Sequence, residues 1–154
     1  MSATEYPRER RRGGFAAVAA LFLLAACDGP IDPVVAKRQE NRREAERTTL
    51  ALKADLDRGA PAEIAAERAR RLIALQREFV ELFPFGSVNG SRALPSVWSD
   101  RAGFERASDA AIRAAERMAT VIAGGTGGPA LEALYDYGKT CGACHDRFKA
   151  LEKE

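Results

Sequence analysis

Residues 141–145 read Cys-Gly-Ala-Cys-His. Two thiols separated by two residues, with an imidazole directly after the second, are what c-type haem attachment requires. Each thiol adds across one vinyl group, and the histidine reaches the iron. A chain that encloses such a macrocycle must set aside one interior face for it. A thioredoxin-like redox pair would sit between a strand and a helix, and no strand-like stretch precedes Cys141. Structural zinc would need four ligands, and beyond Cys141, Cys144 and His145 only the distant Cys27 is on offer. His145 is the only histidine. A sixth iron ligand from the protein would have to be Met, Lys or a backbone group, and Met118 is the only methionine after Met1.

The N-terminus is a targeting segment rather than part of the fold. Arg8, Arg10, Arg11 and Arg12 make a basic region, and Phe15 to Ala26 is an unbroken apolar run. That run is shorter than the roughly 20 residues a permanent membrane span needs, so a secretory signal is expected. Leu24-Ala25-Ala26-Cys27 resembles the lipobox of bacterial lipoproteins, in which the cysteine is acylated and becomes the new N-terminus. More than one acyl chain would hold the protein stably at a membrane. The expected division is a signal over residues 1–26, a lipidated tether over 27–33 and one domain over 34–154. If the lipobox is not used, the protein is soluble in the periplasm. Export also fits the chemistry, because thiols are oxidised and haem is attached outside the cytoplasm. Four basic residues and two acidic ones precede Cys27, which leaves twenty of each sign after it. The mature part is therefore formally neutral, and nothing points to nucleic acid.

After the tether the apolar pattern is helical throughout. A first helix from Val34 to about Asp57 carries Val35, Arg38, Arg42, Ala45, Thr49, Leu52 and Leu56 on one stripe, whose first half is unusually polar. A second helix from Pro61 or Ala62 to about Leu82 buries Ala65, Leu72, Phe79 and Leu82, with Pro61 tolerated at its start. Residues 84–99 form the longest connection. Phe85, Leu94, Val97 and Trp98 are too much apolar surface for a free linker, so the segment should fold back on the helices. Ser99 or Asp100 caps a third helix bearing Phe104, Ala107, Ala111, Ala115, Met118 and Ile122. Residues 124–128 are a glycine-rich break without the strand and Lys-Ser/Thr pair of a phosphate loop. A fourth helix from Pro129 carries Leu131, Leu134, Gly138, Cys141, His145 and Phe148, with Gly138 leaving room for a ring. The expected fold class is all-α: an antiparallel four-helix bundle with covalently bound haem on the C-terminal helix.

The mature region resembles the cytochrome c′ family. The residues that carry the likeness are Leu94-Pro95-Ser96-Val97-Trp98-Ser99-Asp100 leading into Phe104, and Gly138 through Phe148 around the haem motif. The resemblance implies one haem c per chain, held by Cys141 and Cys144, with His145 as the proximal ligand. It implies that Arg38 lies near a haem propionate and that Lys149 occupies a place where the family often has Arg. It also implies dimerisation through the first two helices. One departure stands out. Four residues after Arg38, where the family usually packs an apolar side chain over the open iron face, this chain has Arg42. An arginine cannot deprotonate to ligate iron, and its burial over haem without a carboxylate would be costly. Arg42 is therefore expected to swing toward a propionate or solvent, leaving Asn41 or Ala45 nearer the iron.

These features lead to an envelope haem protein rather than an enzyme. Its iron would be five-coordinate through His145, and it would bind small diatomic gases such as nitric oxide or carbon monoxide, or exchange electrons with an envelope redox partner. The alternative is a six-coordinate electron carrier of the b562 type, with Met118 the only methionine to supply the ligand. A non-redox envelope scaffold would leave Cys141 and Cys144 as free thiols.

Overall fold

A computed structural model describes residues 31–151, so the expected signal segment and Cys27 lie outside the described residues. Four long helices carry the fold: α1 (Pro33–Asp57), α2 (Ala62–Glu81), α4 (Arg101–Ala123) and α5 (Gly128–Phe148), with α3 (Ser96–Ser99) a single turn before α4. The third and fourth helices expected from the sequence are thus α4 and α5. Among the described residues no helix is long and apolar enough to cross a membrane.

The helix ends follow from local chemistry. The Asp32 carboxylate accepts from the Val34 amide at 2.9 Å and caps α1, with Pro33 in the first turn. Asp100, one of the two residues expected there, caps α4 by accepting from the Gly103 amide at 3.0 Å. Gly59, with φ +66°, makes the turn after α1 in a conformation that other residues rarely adopt. The turns at the two ends of the chain path meet: Thr126 Oγ1, between α4 and α5, donates to Ala60 O, between α1 and α2, at 2.9 Å. Short turns at one end and the long connection at the other set the helices alternately up and down. α4 packs on both α2 and α5, while α1 packs mainly on α2.

The interior divides into two apolar clusters. The larger holds Leu52 and Leu56 of α1, Ala65, Ala69 and Leu72 of α2, Ala111, Ala115, Met118 and Ile122 of α4, and Leu134 and Tyr137 of α5. The smaller is aromatic: Phe83, Phe104 and Phe148 with Leu82 and Val97, and Phe79 packed against them. Phe83 and Phe104 meet edge to face at 4.9 Å, and Phe104 and Phe148 at 5.4 Å. The aromatic cluster fills the end where the long connection folds back. There Trp98 Nε1 donates to Pro84 O at 2.9 Å, and Leu94 N to Phe148 O at 2.9 Å.

Two expectations about side-chain placement are corrected. Phe85 does not fold back with the rest of the connection but projects, 92% exposed. The Pro84-Phe85-Gly86 turn, with Gly86 at φ +82°, directs it away from the bundle. Gly138 is exposed with open space around it, and Tyr137 takes the inward position on that turn of α5.

The C-terminal end of α1 also buries a charged residue. Asp55 is 1% exposed, its carboxylate paired with Arg58 and Arg68, and its carbonyl accepts from Ala60 N at 2.8 Å. It joins the last turn of α1 to α2. Replacing Asp55 by Ala leaves two arginines without their partner and should lower the unfolding free energy of the holoprotein by about 2 kcal/mol, measured by urea denaturation.

Candidate functional site

Between the two apolar clusters the helices enclose a cavity of about 460 Å³, a volume in the range of pockets that bury a small organic group. Its walls are Leu75 and Phe79 of α2, Phe104 and Ala111 of α4, Val35 of α1 and Phe148 of α5. α5 supplies the chemistry. Cys141 packs against the larger cluster and Cys144 against the aromatic one, so the two thiols straddle the division. His145 lines the same cavity on its open side. The spacing along α5 thus brings all three residues of the motif to one cavity, with the imidazole at the mouth rather than in the core.

The electrostatics suit a neutral donor set. Burial raises the pKa of both the Cys141 and the Cys144 thiol. Burial, followed by the positive charges of Lys149 and Arg42, lowers the His145 pKa, and Asp146 only partly opposes this. The imidazole is therefore neutral at physiological pH, the form that binds a metal. Among the described residues no group of three or more His, Cys, Asp or Glu is placed to hold a metal ion directly. The one buried side-chain atom among the described residues without a hydrogen-bond partner, Ser108 Oγ, belongs to a residue of the α4 wall. An apolar slot, two thiols on facing clusters and a neutral imidazole at its edge fit a covalently attached haem.

The α1 wall differs from a simple reading of its stripe. Asn41, not Arg42, is the buried residue on that turn, and its amide donates to Leu75 O at 3.1 Å and to Glu78 Oε2 at 3.4 Å. Arg42 keeps an exposed side chain 3.5 Å from Glu46 while still lining the cavity. Arg38 is 7% exposed. Its guanidinium donates to Leu82 O, Ser87 O, Ser87 Oγ and Ser91 Oγ, the shortest of these bonds at 2.7 Å, and lies 3.7 Å over the Phe83 ring. These acceptors engage every N–H an arginine has. Burial lowers its pKa, and Asp32 partly offsets that. Arg38 lines the cavity and at the same time pins the segment after α2 to α1. Lys149 also lines the cavity; its backbone caps α5 and bridges to Ala93.

Met118, the only candidate for a thioether ligand, is fully buried in the larger cluster and does not line the cavity. A residue that sequence reasoning passed over lies beside the motif. Tyr137, one turn before Cys141, is buried and its hydroxyl accepts from Gln76 Nε2 at 2.8 Å. Burial pushes the Tyr137 pKa upward. Its spacing of four from Cys141 was the available signal.

The fold and this site define a c-type haem protein built on a four-helix bundle. The family described as Cytochrome C' matches residues 33–149, most of the chain, and the protein belongs to the cytochrome c′ family. Among curated relatives, the cytochrome c′ of Rubrivivax gelatinosus is 32% identical over 90 residues, covering 57% of this chain and 70% of that protein. A cytochrome c-554 of Cereibacter sphaeroides is 36% identical over 94 residues, covering 57% and 60%. The crystal structure of the Rubrivivax gelatinosus cytochrome c′ matches with a TM-score of 0.63 at 28% identity, over 73% of this chain and 91% of that one. A nitric oxide complex of a variant cytochrome c prime from Alcaligenes xylosoxidans shares the fold, with a TM-score of 0.69 at 24% identity over 77% and 94%. Members of the family are periplasmic and carry covalently attached haem c, and the same cofactor belongs to this chain.

Two substitutions separate roles at this site. Met118→Leu conserves volume, so it should cost less than about 1.5 kcal/mol of stability and leave the haem absorption spectrum unchanged. Arg38→Lys loses the forked geometry and most of its acceptors. Hydrogen exchange at residues 82–91 should then rise by about ten-fold while haem content stays the same.

Proposed function

We propose that Cys141 and Cys144 hold the haem through thioether bonds and that His145 is its sole protein ligand, leaving one face of the iron open to a small gas. The observation that carries this reading is the composition of the α1 wall. Opposite the motif, the cavity meets Val35, Asn41, Arg42 and Ala45, none of them an imidazole, thiol or thioether. Arg42 cannot give up its proton to ligate, and the Asn41 amide is engaged with α2. When bound, haem would supply reversible ferric and ferrous states and an iron able to take a diatomic gas.

The chain's own residues set the conditions. The aromatic cluster and Leu75 exclude water from the slot. Lys149 and Arg42 place positive charge near His145, which favours the reduced state. Arg42, held among the described residues by an exposed contact to Glu46, is the cation best able to turn toward a propionate, whereas Arg38 acts chiefly by fixing the wall at Gly90 to Arg92. A relative of this fold has been solved with nitric oxide bound, which supports gas binding as the activity, with electron exchange as the chemistry of the same iron. Export and acylation at Cys27 complete the reading: residues 1–26 direct the chain out of the cytoplasm, and the mature protein sits on the periplasmic side of the membrane.

The ferrous holoprotein should show a high-spin spectrum that shifts on addition of carbon monoxide. Low-spin bands that ignore the gas would overturn the open site. Cys141→Ser with Cys144→Ser should remove the single haem from the intact mass of the exported protein.

A further inference from the structure

The segment that walls the cavity at Gly90, Ser91 and Arg92 has a second, outer side. There Phe85 is 92% exposed and Val88 54%. Ile31, 52% exposed, lies against the same segment, its side chain 3.2 Å from where a Cβ on Gly90 would stand. Exposed apolar side chains on a loose loop can turn inward, but the backbone that carries these is held. Pro84 O accepts from Ser87 Oγ at 2.8 Å and from Trp98 Nε1 at 2.9 Å, and Ser87 O accepts from the buried Arg38 at 3.3 Å. The turn is braced from both ends, so its apolar tip is presented without an ordering cost on contact.

We propose that the tip at residues 84–89, led by Phe85 and Val88, inserts into the lipid surface beside the chain's anchor and holds the haem cavity close to the membrane. This rests on the anchor at Cys27 put forward above. Three residues separate Cys27 from Ile31, so the four Cα-to-Cα steps span at most about 14 Å when extended. The acyl chains and the tip therefore reach the same patch of surface. No Asp or Glu occurs between residues 82 and 99, so nothing in the segment repels an anionic lipid surface. One Phe and one Val are far too little for a stable protein interface, which takes about 800 Å² per partner. They are enough to orient a domain that is already tethered.

The test uses the holoprotein in native membranes, with a photoreactive phenylalanine analogue at position 85, at 88, or at the control position 50. Leu50 is 63% exposed and lies twelve residues beyond Arg38 on α1, about 18 Å along the helix axis. The haem spectrum of each labelled protein verifies that it has folded. Positions 85 and 88 should give phospholipid adducts at about ten-fold the yield of position 50, as expected for a buried against an exposed aromatic side chain. Equal yields at all three positions, or adducts from 85 to a second copy of the chain or to another protein, would overturn the proposal. Intact mass of the same sample reports acylation separately. Lipid adducts at 85 without acyl mass would sink the anchor and keep the tip, and acyl mass with equal adduct yields would do the reverse.

Discussion

Everything in this bundle depends on the fact that α5 directs Cys141 and Cys144 into two different apolar clusters. The larger cluster is built from leucines, alanines, Met118 and Tyr137, and the smaller from phenylalanines. The cavity lies where they would otherwise join. An alanine-rich α4 cannot close that gap with its own side chains, because alanine buries little area. A rigid apolar ring bound to both cysteines would close it, connecting the clusters covalently. Stability and function are then the same problem, since the group that completes the core also carries the iron.

Arg38 solves the companion problem at the edge of the cavity. A buried guanidinium is costly unless its donors are matched, and here the carbonyls and hydroxyls of the segment after α2 match them while Phe83 stacks beneath. Together with the Trp98 and Leu94 bonds, the Arg38 side chain fixes a long irregular connection. The inner side of that connection faces the cavity, and its outer side holds Phe85 in solvent. Burial, and after it the positive charges of Lys149 and Arg42, lower the pKa of His145.

The helices and most of their inward stripes were legible in the sequence because apolar residues repeat at intervals of three and four. Phe104, Ala111, Ala115, Met118 and Ile122 all lie inside α4 as that pattern requires. The Asp100 cap and the return of Val97 and Trp98 to the bundle could also be read directly. Periodicity fails where it leaves two neighbouring positions to choose between. Asn41 rather than Arg42 faces inward because the shorter amide reaches Leu75 O, and Tyr137 displaces Gly138 because only the ring has area to bury. The acceptors of Arg38 were illegible for a different reason: they lie more than forty residues away, on a turn whose path depends on Gly86 at φ +82°. The haem motif itself supplied the cofactor, and an outward Arg42 with Asn41 or Ala45 nearer the iron was expected from the cost of burying a guanidinium; the acceptors that tie Asn41 to α2 had to come from the structure.

The open iron face opposite His145 is tested most directly by resonance Raman spectroscopy of the ferrous holoprotein without added ligand. A cavity whose α1 wall offers no ligating side chain predicts an iron–imidazole stretching band, together with porphyrin marker bands of a five-coordinate high-spin iron. Marker bands of a six-coordinate low-spin iron in both oxidation states would contradict it and require a second protein ligand.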